Sequence, residues 1–313
     1  MHDLRFYDFN FNLLAIENKF TYLGFLKKYN GVGTFEAHFP ITSKILKLVL
    51  ENEYLLVLWG SNQAIITGKQ VGNKLVLYGR EPTWLLTRRV TPKFSTVSGT
   101  PEKICADIVR NAFSDVENFV VERFENNFET INFWRNVYNP TEKVVSECLD
   151  RAGAGHRVYA DIKNKNWVYQ VVMGKERELI ISSANKNAYN ASYVEDFQDH
   201  VNGGWYESYS NGNDGEAQWK FIDSPKTGIY RWIGVLGGDS ESDAKASLNT
   251  RKWEKEISVE TKNIKYGKDY SLGDTVKLQV CFGNFKTTVI KKVKGVQMAV
   301  ENGIYTENPV FAD

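Results

Sequence analysis

Three short apolar segments between residues 54 and 78 constrain the fold more than any other feature of the chain. The run YLLVLW (Tyr54–Trp59) is followed by AIIT (Ala64–Thr67) and LVLY (Leu75–Tyr78), with Gly-Ser-Asn and Gly-Asn turns between them. Short apolar runs divided by turn-forming residues are typical of neighbouring antiparallel strands, because such turns reverse the chain within a few residues. The pattern predicts a three-stranded meander, the building unit of a sandwich or a barrel.

The middle of the chain changes to helical patterns. Thr100-Pro101-Glu102 has the residue types that begin a helix, and Ile104, Ile108 and Ala112 follow at the spacing of one helical face. A second helix is predicted after Asn139-Pro140, with Glu142 placed to bond back to the cap amide. Its predicted buried stripe is Val144, Val145, Cys148, Leu149 and Ala152, and Gly153 and Gly155 end it. A hairpin of Arg157–Ile162 and Trp167–Met173 follows.

Strand signals return near residue 191. The stretch Val201–Gly238 is rich in Gly and Trp, and Asp239–Glu256 has the pattern of a polar surface helix with a thin apolar stripe. That stripe consists of Ala244 and Leu248. Alternation at Val276, Leu278 and Val280 predicts a half-buried hairpin with its partner strand from Phe285, and a last strand at Ile304–Phe311 is predicted to close the sheet.

These patterns predict a β-rich α+β fold in three parts. Residues 1–95 are expected to form a first β-barrel domain and residues 191–313 a second, which carries the surface helix near 239–256. Residues 96–190 are expected to form a helix-containing α/β insert between the two barrels.

Charge and cysteine content narrow the classes of function. The chain has 39 basic and 38 acidic residues and a net charge of +1, so no overall attraction to nucleic acid or to a membrane surface is expected. The three cysteines are far apart, which disfavours a disulfide framework and indicates folding in a reducing cytosol. Cys105 and Cys148 lie on apolar helical faces, where a thiol usually packs as a small hydrophobe. The N-terminus lacks a signal-peptide pattern, and no apolar run approaches the ~20 residues of a membrane helix.

Motifs of common catalytic sites do not occur in the sequence. None of the four histidines stands in H-E-x-x-H spacing, and neither G-x-S-x-G nor a phosphate-binding G-x-x-x-x-G-K-[ST] is found. A pair of carboxylates for glycan cleavage stays open, because two such acids need not be close in sequence. We expect no enzymatic activity, no catalytic residues and no cofactor.

Two polar segments contain residues that can bind cations. Asp196, Asp199 and His200 are able to chelate a metal, although a charged loop or strand face accounts for them more simply. The segment Asn211–Glu216 has oxygen donors and glycines but lacks the D-x-[DN]-x-[DN]-G register of a calcium loop, so a solvated turn is favoured. No metal site is therefore predicted.

Four motifs, in order along most of the chain, resemble the siphophage tail-hub or baseplate-hub family. They are Arg5–Asp8 with Tyr22–Phe25 and Gly33–Pro40 (GTFEAHFP); Tyr78–Arg80 with Leu85–Arg89; the helix Pro140–Ala152 with the hairpin ending at Met173-Gly174; and the turn Tyr270–Val276 (YSLGDTV). We expect Gly33 to bend the chain before a strand that Pro40 ends at an edge, and Gly273-Asp274 to form a tight turn. Arg80, Arg88 and Arg89 are either ordinary surface charges or interface residues.

The resemblance implies a structural protein of the virion tail tip, made in the host cytoplasm, with a baseplate-hub-like fold. Two barrels per chain in a homotrimer present six barrels, so the hub is expected to join the hexameric tail tube or distal-tail protein ring to a trimeric tip spike or fibre. The tape-measure protein and the genomic DNA are expected only to pass through its central channel. No stable membrane binding is expected.

Carbohydrate binding is the alternative function. Six aromatic residues crowd the Gly-rich stretch and can stack on sugars of a host envelope: Trp205, Tyr206, Tyr209, Trp219, Tyr230 and Trp232. The competing interpretation, which we favour, is that these rings fill a core or a subunit interface. Solvent-facing, coplanar rings favour sugar binding, and covered rings favour the hub.

Overall fold

The computed structural model describes residues 3–91, 95–122, 128–135, 138–213, 217–238, 240–251 and 254–311. Strands predominate in these residues. The helices are α1 (Ile45–Glu51), α2 (Pro101–Ala112), α3 (Thr141–Asp150) and α4 (Glu241–Thr250), with 3₁₀ turns at Pro82–Arg88 and Gly228–Tyr230. The predicted β-rich α+β class is confirmed. None of the described helices has the length and apolar character that a membrane crossing requires.

The strands belong to five sheets within the described residues. The first eight are β1 (Leu4–Tyr7), β2 (Leu13–Glu17), β3 (Tyr22–Lys28), β4 (Thr34–Pro40), β5 (Leu56–Trp59), β6 (Asn62–Val71), β7 (Lys74–Arg80) and β8 (Ser95–Gly99). The next six are β9 (Phe119–Val121), β10 (Ile131–Arg135), β11 (Gly155–Asp161), β12 (Asn166–Val172), β13 (Glu176–Ile181) and β14 (Ala188–Asp196). The last are β15 (Gly203–Asn213), β16 (Ala217–Ile222), β17 (Ile233–Val235), β18 (Glu254–Thr261), β19 (Thr275–Phe282), β20 (Phe285–Glu301) and β21 (Ile304–Phe311).

The chain divides into two compact units. The first contains Met1–Tyr189, Glu260–Gln279 and Thr287–Ala312, and the second contains Asn190–Val259 and Val280–Lys286. The break after Tyr189 lies beside the domain boundary predicted after residue 190. Residues 260–279 and 287–312, which the sequence-based division places in the last domain, instead group with the first unit. They do so because β19, β20 and β21 are hydrogen-bonded into its large sheet.

An eleven-stranded sheet is the frame of the first unit. Its order is β13-β19-β20-β3-β4-β7-β6-β5-β1-β2, and β21 pairs with β20 beside this path. The predicted meander is confirmed, because β5, β6 and β7 are antiparallel neighbours. Strand β3, however, pairs with β20 and leads the sheet away from the N-terminal strands. The order therefore has two ends at β13 and β2, and the two predicted closed barrels are not found among the described residues.

The helical segment predicted as a separate insert groups with the N-terminal strands in the first unit, although its local elements agree with the sequence. Helix α2 begins at Pro101, with Glu102 in its first turn, and β11 and β12 form the predicted antiparallel hairpin. The apolar stripe of α3 is buried. The Glu142 carboxylate differs from the prediction, because it accepts a hydrogen bond from the Ser146 hydroxyl, 2.9 Å away and one turn later, instead of bonding back to the helix start.

The second unit has a small three-stranded sheet covered on one face by a helix. Strand β15 lies between β16, which is antiparallel, and β17, which is parallel. Helix α4 is shorter than the predicted 239–256, because the chain enters β18 at Glu254. Its Ala244 is fully buried against Val201, Tyr206 and Leu236, so this surface helix has one packed face.

The C-terminal strands agree with the sequence in position and differ in pairing. Val276, Leu278 and Val280 are buried, and β21 has the predicted bounds. Strand β20 runs for 17 residues, far beyond the predicted hairpin arm, and β21 pairs along its C-terminal half. Strand β21 therefore lies beside the main sheet and does not close it.

Candidate functional site

The motifs that resemble the tail-hub family occupy close backbone contacts of the first unit. A methyl group at Gly79 would lie 2.6 Å from the carbonyl oxygen of Ile65 and 2.9 Å from the ring of Phe35, which brings the second motif against the first. A methyl group at Gly33 would lie 2.0 Å from the carbonyl oxygen of Leu26. These glycines are needed because backbone and ring atoms approach too closely for any side chain.

The third and fourth motifs also meet. A methyl group at Gly174 would lie 1.8 Å from the carbonyl oxygen of Gly273, and Gly273 has the left-handed φ of +83° that suits the predicted tight turn. The Tyr29 hydroxyl lies 3.1 Å from the carbonyl oxygens of Gly153 and Val172 and accepts a bond from the Gly174 amide at 3.3 Å. Pro40 ends β4 as predicted, but β4 lies between β3 and β7 and is not an edge strand. The residues of these motifs therefore form close contacts between strands and turns of the first unit.

The arginines of the second motif have different surroundings. Arg88 lies over the ring of Trp84, at 5.4 Å from its centroid. Arg89 lies over the ring of Phe113 and forms an ion pair with Asp115 at 3.0 Å. Arg80 is exposed at the end of β7. Two of the three thus contact their own chain.

An aromatic face of the second unit is the candidate functional site. The register places Trp205 beside Phe221 on β16 and beside Val235 on β17, and Gly203 beside Ile233. Because side chains alternate along a strand, Trp205, Trp219, Phe221, Ile233 and Val235 share one face of the sheet. The exposed fractions are 45% for Trp205, 53% for Trp219 and 67% for Val235. We call these five residues the aromatic face.

The opposite face of the same sheet explains why these side chains point outward. Tyr206 is buried with Val201 and Leu236 under helix α4. The glycines permit this close packing, because a methyl group at Gly204 would lie 2.5 Å from the carbonyl oxygen of Gly234. Burial of the Tyr206 side fixes the register, which places the neighbouring tryptophan in solvent.

The rings of the aromatic face are not coplanar. Trp205 and Phe221 have centroids 4.8 Å apart and planes inclined by 45°. The Arg231 guanidinium lies 5.4 Å from the Phe221 centroid and forms an ion pair with Asp223 at 2.9 Å. A cation over an aromatic ring in an exposed apolar patch is a combination enriched in protein contacts.

A polar loop supports this face. The Asn202 side-chain oxygen accepts bonds from the Trp232 amide at 3.0 Å and from the Ser224 hydroxyl at 2.7 Å. The Trp232 indole donates to the carbonyl oxygen of Ile229 at 3.0 Å. Its ring forms a T-shaped contact with the His200 ring, with centroids 5.4 Å apart. Trp232 is thus fixed within the unit, whereas Tyr230 is exposed.

The six predicted aromatic residues therefore divide. Trp205, Trp219 and Tyr230 are exposed, Tyr206 is core, Trp232 is held by the loop, and the side chain of Tyr209 lies outside the described residues. Sequence reasoning missed Phe221, Ile233, Val235 and Arg231. Phe221 stands two residues after Trp219, a spacing that marks one face of a strand.

Two of the candidate cation-binding residues, Asp196 and His200, have polar contacts within the chain. Asp196 accepts a bond from the Gln198 amide at 2.9 Å, and His200 Nδ1 lies 3.1 Å from the carbonyl oxygen of Arg251. Across the part of the chain that the structure describes, no group of three His, Cys, Asp or Glu side chains converges to hold a metal. Of the other segment, residues 211–213 belong to β15 and residues 214–216 lie outside the described residues.

Buried polar side chains of the first unit are structural. Cys105 and Cys148 are buried as predicted, while Cys281 is exposed. His156 is buried and pairs through Nδ1 with the Asn30 side-chain oxygen at 2.8 Å. Burial lowers the pKa of His156 to about 3, because the protonated ring would lose its hydration.

The fold is similar to that of solved tail proteins of phages and prophages. It is similar to the tail protein from Neisseria meningitidis MC58, with 12% identity and a TM-score of 0.61 over 100% of this chain and 97% of that one. The prophage tail protein gp18 from Listeria monocytogenes EGD-e has 12% identity and a TM-score of 0.61, over 98% of this chain and 94% of that one. The prophage MuSo2 43 kDa tail protein from Shewanella oneidensis has 14% identity and a TM-score of 0.57, over 99% of this chain and 98% of that one. No protein-family model and no curated protein sequence matches the chain.

Proposed function

We propose that this protein is a structural, non-enzymatic hub of a phage tail tip. The observation that supports the proposal is a fold shared over 98% or more of this chain and 94% or more of each of three tail proteins. A similarity of that extent includes both compact units, so it concerns the whole architecture and not one common domain.

In this proposal the chain acts as a homotrimeric adaptor in the virion. It joins the hexameric tail tube or distal tail protein to a trimeric tip spike or fibre, and the tape-measure protein and the genomic DNA pass through its centre. The balance of 39 basic and 38 acidic residues supports a passive channel, because contacts between cations and phosphates would hold the DNA by counterion release.

The aromatic face is the proposed protein contact of this assembly. Exposed tryptophans with a neighbouring arginine are typical of the residues that dominate binding energy in interfaces. The 45° inclination between Trp205 and Phe221 argues against a flat platform for sugar rings. Their exposure, however, supports the alternative of carbohydrate binding, so both ligands are to be tested on this face.

The deciding experiment is a mass measurement of the purified protein, alone and mixed with the tail tube or distal tail protein encoded beside it. A trimer in either sample is expected, and a reconstructed particle with six copies or one copy of this chain would contradict the hub. A monomer of the isolated chain is compatible with the proposal, since partners can be required for assembly. The purified protein is also expected to leave peptidoglycan uncut.

A further inference from the structure

A cavity of about 880 Å³ lies within the first unit, beside β21. Its floor contains Met298 and Val300 of β20, and its sides are formed by the β5–β6 turn, the segment 261–266 and β21 itself. We call it the β21 pocket. Its volume is within the range of sites that bind small molecules, and the proposed hub function gives it no role.

Aromatic rings form part of its wall. The rings of Trp59 and Tyr305 have centroids 5.9 Å apart and are inclined by 48°. Trp59 is stacked on Phe25 at 6.1 Å and 12°, so the indole is held from behind by the core. Tyr305 is half exposed. The wall therefore presents the accessible ring of Tyr305 to a ligand, and behind that ring lies the buried indole of Trp59, which is 7% exposed.

A carboxylate is held in a defined orientation in the same pocket. Glu307 Oε1 accepts bonds from the backbone amide of Tyr266 and from the Tyr270 hydroxyl, the latter at 3.3 Å, and Oε2 accepts from the Tyr305 hydroxyl at 2.5 Å. Burial and the neighbouring Glu307 raise the pKa of Tyr270 and Tyr305, so both stay protonated donors. A carboxylate accepts about four bonds, which leaves room for a ligand hydroxyl.

Two amides complete the polar lining. The Asn308 side-chain oxygen accepts bonds from the Thr261 amide at 3.2 Å and the Thr261 hydroxyl at 3.3 Å. The Asn62 side-chain oxygen accepts a bond from Lys27 Nζ at 3.3 Å. The Asn308 oxygen accepts two bonds within the protein, so its NH₂ group is the part of this side chain that can donate to a ligand, whereas Asn62 is buried.

The net charge of the residues that line the pocket is small, because two lysines are partly balanced by one glutamate. Its lining contains Lys262, Lys265 and Glu307, and the Lys262 ammonium already lies 5.6 Å from the centroid of the Tyr189 ring. Glu307 is the single acid among the described lining residues. Most glycosidases use a pair of carboxylates, so a lining with one acid favours binding over hydrolysis.

We propose that the β21 pocket binds a short neutral oligosaccharide. A pyranose ring offers an apolar C–H face that matches the exposed ring of Tyr305, and hydroxyl groups that match Glu307 and Asn308. The β21 pocket belongs to the first unit, whereas the aromatic face belongs to the second. The inference stands whether or not the chain assembles as a trimeric hub.

The test is titration of the full-length protein with N-acetylglucosamine trimer and with maltotriose, followed by calorimetry and ligand-observed saturation-transfer NMR. At least one trisaccharide is expected to bind with a Kd on the order of 0.1 to 1 mM. Tyr305→Ala is expected to weaken binding about tenfold, because it removes the accessible ring, and Tyr305→Phe to weaken it less because the ring remains.

The matched control is Tyr138→Ala, an exposed tyrosine of the first unit that does not line the β21 pocket. It is expected to leave binding unchanged. Circular dichroism checks that each variant is folded. Absence of binding by both trisaccharides, or binding that Tyr305→Ala leaves unchanged or that Tyr138→Ala weakens equally, overturns the proposal.

Discussion

The guanidinium of Arg177 lies 2.6 Å from the carboxylate of Asp274, whose side chain is 2% exposed. The same carboxylate accepts bonds from the backbone amides of Lys175 and Ser271, each at 2.8 Å. It therefore joins the start of β13 to the turn before β19. The sequence alone predicts only that Asp274 belongs to a tight turn with Gly273.

Removal of this carboxylate is expected to destabilise the first unit. Asp274→Ala leaves two amides and the partly exposed Arg177 charge without their acceptor, which we expect to cost roughly 2 to 4 kcal/mol because solvent screens part of the Arg177 charge. Urea unfolding of the variant measures the loss. Asp107→Ala is the control, because Asp107 forms a largely exposed ion pair with Arg110 and its loss is expected to cost under ~1 kcal/mol. Equal effects of the two substitutions would contradict the structural role of Asp274.

Gly174→Ala is expected to be disruptive for a steric reason. The added methyl group would lie 1.8 Å from the carbonyl oxygen of Gly273, so the backbone must shift. We expect a loss of at least ~2 kcal/mol in the free energy of unfolding. Gly72→Ala has open space around it and is expected to be neutral or slightly stabilising. Thermal unfolding of both variants side by side checks the difference, and a tolerated Gly174→Ala would show that this contact is not tight.

We expect the free energy of unfolding to decrease in acid because of His156. The folded-state pKa of about 3 lies below the ordinary value of 6.5, so the unfolded chain binds a proton in that interval and the folded chain does not. The contribution is fully present above pH 6.5 and falls as pH decreases toward 3, by up to roughly 5 kcal/mol. Urea unfolding between pH 7 and 4 measures the slope. His156→Gln is expected to flatten this slope, and an unchanged slope in that variant would refute His156 as its origin.

The aromatic face is expected to control assembly without controlling folding. Trp219→Ser removes an exposed ring, so thermal stability should change little while association with itself or with a tail partner weakens by about tenfold or more. Leu50→Ser on α1 is a matched control, since Leu50 is 54% exposed and Trp219 is 53% exposed. Analytical ultracentrifugation or native mass measurement compares the two. Equal association of both variants would exclude the aromatic face as the contact.

Local elements were predictable because their causes are local. The meander, the starts of α2 and α3, the β11–β12 hairpin and the bounds of β21 depend on turn residues and on apolar spacing within a few positions. The family motifs were also visible in the sequence, although their glycines proved to serve close contacts between distant segments more than turns.

Contacts between distant parts of the chain were decided by the tertiary structure. Gly24 of β3 pairs with Ala299 of β20, and this pairing opens what local patterns predicted as a closed N-terminal barrel. No local pattern specifies which of several β-strands with similar alternation will be neighbours, because backbone hydrogen bonding does not depend on side-chain identity. The same limit applies to the aromatic stretch and the β21 pocket. Six rings in one segment predicted an aromatic cluster, but the burial of Tyr206 under α4 determines which of these rings face solvent. In the β21 pocket, the Tyr270 hydroxyl bonds to Glu307 because β21 lies beside a turn that is distant in the sequence.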